Sequence, residues 1–145
     1  MFFVDLYPLW PAQIRPAFMH DLRTFYIATY HDRLFISPPS WFKMYMYMEL
    51  LYHVPLSVWA IGGLLRDDPK VPIHLLGFAA STVITTSTCV ADYLGWTEYS
   101  GAEKLELGKL YVPYLALCGF MCVDMYGRLS AALERGQGRG QKKVN

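Results

Sequence analysis

Three apolar runs, each close to the length that crosses a lipid bilayer, constrain this chain more than any other feature. They extend from Tyr45 to Leu65, from Val71 to Leu94 and from Leu110 to Tyr126. A bilayer core takes about 20 residues of helix. Charged residues make up 17% of the chain and hydrophobic residues 54%, whereas an average soluble domain is about 25% charged. The missing charges are missing in blocks. The pattern predicts an all-α, polytopic transmembrane helix bundle, with one membrane domain over residues 1–133 and a basic tail over 134–145.

Proline and the connecting segments refine this expectation. Pro72 falls where a first helical turn tolerates it, whereas Pro55 and Pro113 lie inside the runs and should kink them. Membrane helices accept such kinks because neighbouring helices satisfy the freed carbonyls. The links Arg66 to Lys70 and Gly95 to Lys109 are polar and short, which predicts antiparallel neighbours. The Gly-rich basic tail from Arg128 reads as disordered. The segment from Pro11 to Lys43 is too polar to span and reads as one or two short helices near the interface. The eleven Tyr and four Trp suit the wet edge of a bilayer.

Several functions find no support. A net charge of +1 gives no argument for a nucleic-acid partner. Cys89, Cys118 and Cys122 lie in apolar runs without CxxC spacing or a nearby His cluster, so they read as buried thiols, and neither a metal nor a cofactor is expected. The start, MFFVDLYPLWP, lacks the basic region and small-residue cleavage site of a signal peptide.

Charge sets the expected orientation. Arg128, Arg135, Arg139, Lys142 and Lys143 face only Glu134 in the tail, and the positive-inside rule places them in the cytosol. The Arg66 to Lys70 link is then cytosolic, and the link after Leu94 lumenal. Lys142 and Lys143 stand fourth and third from the end, the spacing of a dilysine signal for retrieval to the endoplasmic reticulum. The alternative is chance within a basic tail.

An ionisable group in a membrane segment is costly and marks a functional site by default. Glu49 lies one turn into the first run, with His53 at i+4 on the same face, and Asp5 lies in an apolar stub. Two carboxylates brought together at low dielectric would share a proton. Such a pair can bind a cationic amine or move a proton on a substrate; the alternative is a buried pair that only locks helices together. Asp92 and Asp124, nearer helix ends, read as interfacial carboxylates. Ser81, Thr82, Thr85, Thr86, Ser87 and Thr88 read as close-packing residues with interhelical hydrogen bonds. Tyr111 and Tyr114 read as interfacial anchors.

The stretch PPSWFKMYMYMELLYHVPL, Pro38 to Leu56, resembles the PPxWF…E…P segment of the sigma-2 receptor family, four-helix membrane proteins with the EXPERA domain. LYVPYL, Leu110 to Leu115, is similar to the start of that family's last helix, and VDLYPL to the end of its first. The resemblance implies residence in the endoplasmic reticulum and a membrane-facing pocket for sterols and cationic amphiphiles. Asp5 and Glu49 would line it, Tyr26 and Tyr114 would stand on its wall, and Asp32 would hold a family position as a structural polar group. His53 stands where the family can carry a different polar residue. Only four residues precede Asp5, so the first of the four helices is expected to be truncated. The resemblance also implies a role in cholesterol homeostasis beside another sterol-handling membrane protein, with a homodimer allowed. The related emopamil-binding proteins imply an alternative, a sterol delta8-delta7 isomerase. A second alternative is a chaperone-like partner of other membrane proteins. The orientation is testable: a glycosylation acceptor introduced beside Asn145 should stay unmodified in cells, and its glycosylation would reverse the topology.

Overall fold

The computed structural model describes residues 7, 10–11 and 16–141, apart from the side chains of 137–141. Five helices occupy the described residues: α1 (Ala17–Tyr30), α2 (Arg33–Ile36), α3 (Ser40–Leu65), α4 (Val71–Leu94) and α5 (Gly101–Gln141). No strand occurs among them. Helices α3, α4 and α5 are long and apolar enough to cross a membrane. Their apolar side chains are largely uncovered: Leu51 is 74% exposed, Leu65 83% and Phe120 72%. Leaving such a side chain in water forgoes about 1.5–3 kcal/mol, so lipid is the medium in which these helices are stable.

Residues form two compact units. One comprises the chain up to Pro55 with Thr97–Lys109; the other comprises Leu56–Trp96 and the chain from Leu110. The first is built on aromatic rings. Tyr26 meets Phe35 edge-on at 5.3 Å, and Phe35 meets Phe42 at 5.1 Å, the tilted arrangement that ring quadrupoles favour. Met19, Leu34, Met46 and Leu107 are buried in the same unit. Helix α1 stops at His31, whose φ of 49° is left-handed and whose N–H reaches the Ile27 carbonyl. This is the single-bond αL stop that glycine usually makes. Tyr99 donates to the His31 carbonyl, and Arg33 pairs with Glu98 at 2.9 Å. Burial, then the carboxylates of Asp32, Glu103 and Glu98, raise the Tyr99 pKa, with Arg33 opposing them. The phenol therefore keeps the proton that it donates.

In the second unit, α4 runs antiparallel to the end of α3. Trp59 meets His74 at 4.8 Å, and Gly63 lies against Val71 one turn nearer the link. The link begins with a Schellman stop: Asp68 N–H bonds the Gly63 carbonyl at 2.9 Å and Asp67 N–H the Leu64 carbonyl at 3.3 Å, with Asp67 at φ 50°. Asp68 Oδ1 then accepts from Lys70 N–H at 2.9 Å, turning the chain into α4. The buried face of α4 is a narrow seam of Ala79, Thr82, Thr86, Cys89 and Tyr93, spaced alternately three and four apart as in helix pairs. Tyr93 packs on Tyr111 of α5 at 5.8 Å. Cys89 and Cys118 are buried free thiols, and Cys122 is half-buried.

Three expectations change. Helix α5 begins at Gly101, not near Leu110, because Ser100 and Glu103 form a capping box: the Glu103 carboxylate accepts from Ser100 N–H at 2.8 Å, and Ser100 Oγ accepts from Glu103 N–H at 3.3 Å. The link is therefore residues 95–100 only. The segment from Arg128, read as disordered, continues α5 to Gln141; residues 129–135 are mostly Leu, Ala, Glu and Arg, strong helix formers, and Arg128 pairs with Asp124 one turn back at 2.8 Å. Ser81 and Thr82 donate to the Phe78 carbonyl, Thr85 to that of Thr82, and Thr88 to that of Ile84. These hydroxyls donate within their own helix.

Gly63 supplies a sharp test of the packing. A Cβ there would fall 2.6 Å from Val71 Cγ2, so Gly63→Ala should destabilise by about 1–3 kcal/mol. Adding Val71→Ala should recover most of the loss. Thermal unfolding in detergent checks both.

Candidate functional site

Glu49 sits at a defect in its helix. Residues Glu49–His53 form a π turn between the α-helical halves Ser40–Met48 and Val54–Leu65. The Val54 N–H bonds the Glu49 carbonyl, five residues back instead of four. Pro55 explains the position of the defect. Its ring would press on the Leu51 carbonyl in a regular helix, and its nitrogen has no hydrogen to give. Widening the turn before it relieves the clash. Such π turns often coincide with functional sites, and here the turn begins and ends on ionisable residues.

Glu49 and His53 are both half-buried, and each has polar or electrostatic contacts. The sides of the turn are apolar or aromatic: Leu51 is exposed, and the Tyr52 ring lies 5.3 Å from that of His53. A carboxylate and an imidazole thus lie within one turn of a spanning helix. Together they can hold a proton or a cation, which a neighbouring leucine cannot.

The structure brings Tyr26 and Asp32 together in a different way. Tyr26 Oη donates to Asp32 Oδ2 at 2.9 Å, and Asp32 Oδ1 accepts from Leu34 N–H at 2.9 Å. Asp32 is 1% exposed and caps α2. The buried carboxylate thereby joins the end of α1 to the start of α2. Tyr26 also packs on Tyr30 at 5.2 Å, so both its ring and its hydroxyl are engaged. Tyr114 belongs to the other unit and is 39% exposed. Asp5, Lys142 and Lys143 lie outside the described residues.

In sequence, Arg23 looks like one solvated arginine in a polar helix. Its Nη2 donates to the Phe35 carbonyl at 3.0 Å, and its guanidinium stacks over the Tyr7 ring at 4.9 Å. Planarity makes arginine suited to both contacts at once. The cue was its placement three residues before Tyr26, on the side of α1 that carries Met19 and Tyr26 inward.

Three apolar helices, a π turn with two ionisable ends and a capped aromatic unit define a polytopic helical membrane protein. The chain belongs to the EXPERA family, the expanded EBP superfamily, whose model matches residues 18–125. It is 31% identical to the efficient mitochondria targeting-associated protein 19 of Schizosaccharomyces pombe over 113 residues, covering 77% of this chain and 58% of that protein. The chain thus spans less than two thirds of that relative's length. It is 25% identical to the human sigma intracellular receptor 2 over 136 residues, covering 85% of this chain and 77% of the receptor. The Xenopus tropicalis receptor of that name is 26% identical over 132 residues, with 84% and 77% covered.

The Tyr26–Asp32 bond should matter for stability. Asp32→Ala removes a cap and the buried acceptor of the Tyr26 hydroxyl, with an expected cost of about 2–4 kcal/mol. Tyr26→Phe leaves the cap in place and should cost about 1–3 kcal/mol. Chemical unfolding of the purified protein in detergent checks the order.

Proposed function

We propose that this protein binds sterols or cationic amphiphilic lipids in the endoplasmic-reticulum membrane and serves sterol homeostasis or trafficking, without chemistry of its own. Glu49 carries the reading: a carboxylate half-buried in an apolar spanning helix, at the π turn set by Pro55. A charge so placed is affordable only with a partner, and it marks a functional site by default. Membership of the EXPERA family and the sigma intracellular receptor relatives support a receptor-like role. In this reading Glu49 and Asp5 share a proton and hold the ligand amine. His53 supplies the second polar contact on the turn. The basic end from Arg128 faces the cytosol, and Lys142 and Lys143 return the protein to the endoplasmic reticulum.

A second reading, a partner of other membrane proteins, is favoured by the fission-yeast relative, whose name ties it to efficient mitochondria targeting. Competition of a photoreactive sterol probe by excess sterol separates the two. A pocket gives saturable competition, and an interaction surface alone does not. Conversion of a delta8 sterol by membranes carrying the protein would replace both readings with an isomerase.

Glu49→Gln should weaken binding of a cationic amphiphile more than that of a neutral sterol. A charge-assisted hydrogen bond is worth about 1.5–3 kcal/mol, or about tenfold to over a hundredfold in affinity. A neutral sterol depends on area and shape and should lose less. Radioligand competition in membranes measures both, and an unchanged amine affinity would reduce Glu49 to a structural group.

A further inference from the structure

The end of the second unit that carries the Arg66 to Lys70 link holds an open cleft of about 220 Å³. Leu64, Asp67, Asp68, Pro72, Met125 and Arg128 line it. Ligand pockets for drug-sized molecules usually measure about 300–1,000 Å³, so this cleft is small for a sterol. Its walls combine two carboxylates, one guanidinium and an apolar side made by Leu64 and Met125. It lies where two spanning helices end, and Leu64 and Leu65 beside it are exposed. Those leucines mark the edge of the hydrocarbon layer.

We propose that this cleft seats the headgroup of a zwitterionic phospholipid with a primary ammonium, of the phosphatidylethanolamine type. Arg128 supplies the phosphate contact. It gives only Nε to Asp124, at 2.8 Å, which leaves both terminal nitrogens for an anion, and paired donors suit phosphate geometry. Asp67 and Asp68 supply the contact to the ammonium. Asp68 Oδ1 already accepts from Lys70 N–H, so Asp67, on the exposed side of the turn, is the freer carboxylate. A choline headgroup has no N–H to give a carboxylate, and a glycerol headgroup has no cation, so both should bind less well. The acyl chains would leave past Leu64 and Met125. Asp67 holds φ 50°, where glycine would fit without strain, so the turn carries an acidic side chain at a position that the backbone alone would give to glycine.

The test counts phospholipids retained by the full chain. The protein is reconstituted in nanodiscs of phosphatidylcholine containing a minor fraction of phosphatidylethanolamine or phosphatidylglycerol, released into mild detergent, and read by native mass spectrometry. The wild type should retain phosphatidylethanolamine over both other lipids. Arg128→Gln should lower its retention by about fivefold, the effect of one basic residue at a membrane surface. Asp67→Gly relieves the backbone, so it folds at least as well. It should nevertheless lose the preference for ethanolamine over glycerol headgroups. Equal retention of the three lipids by the wild type would overturn the proposal, as would an unchanged preference in Asp67→Gly. Soluble phosphoethanolamine is added as a competitor: a need for large excess is expected, and displacement at equal concentration would mean that the cleft reads a free metabolite rather than a lipid.

Discussion

Exclusion of water from the bilayer core governs this structure. A backbone N–H or carbonyl left unpaired there costs several kcal/mol, so the spanning segments are helical from end to end. The same constraint makes the one irregularity in α3 informative. Pro55 cannot give the hydrogen bond that its position requires, and the helix answers by widening one turn while keeping a bond from Val54 to Glu49. The hydroxyl groups of α4 follow the same rule. Ser81, Thr82, Thr85 and Thr88 return their hydrogens to carbonyls of their own helix.

Outside the apolar spans, the chain is held by side chains at helix ends. The stops and the starts use different chemistry. His31 and Asp67 both hold left-handed φ without being glycine, at a cost of about 1–2 kcal/mol each. His31 offsets that cost through its carbonyl, which takes the Tyr99 hydroxyl, and the Arg33–Glu98 pair lies beside it. Asp32 caps α2 and accepts the Tyr26 hydroxyl, a buried carboxylate with both oxygens occupied. The Ser100–Glu103 box starts α5 in the same spirit, by reciprocal bonds between backbone and side chain.

Polar groups thus divide by purpose. Asp32, Asp92 and Asp124 are each bonded within their own unit: Asp32 to Tyr26, Asp92 to the Trp96 indole at 2.9 Å, and Asp124 to Arg128. Glu49 and His53 differ because they flank a widened turn in the middle of an apolar helix. That difference in setting, more than residue type, separates Glu49, the proposed ligand carboxylate, from Asp32, which joins two helix ends.

Much of this was legible in the residues themselves. Run length and the scarcity of charge determined three spanning helices, because a bilayer selects on those quantities. The block from Pro38 to Leu56 carried the family resemblance, and Pro55 marked where α3 would be disturbed. The box SGAE, Ser100 to Glu103, was also readable, but the polar composition after it looked like a link. The helical continuation past Arg128 was masked by glycines that weigh against a helix singly and are outvoted by Leu, Ala and Arg around them. Tertiary structure decided the rest. No local pattern shows that Tyr26 and Asp32 would meet, that Arg23 would cover Tyr7, or that Gly63 would sit against Val71. Each depends on the direction in which a turn sends the following helix, and two of those turns rest on the left-handed backbone of His31 and Asp67, which no run of apolar residues announces.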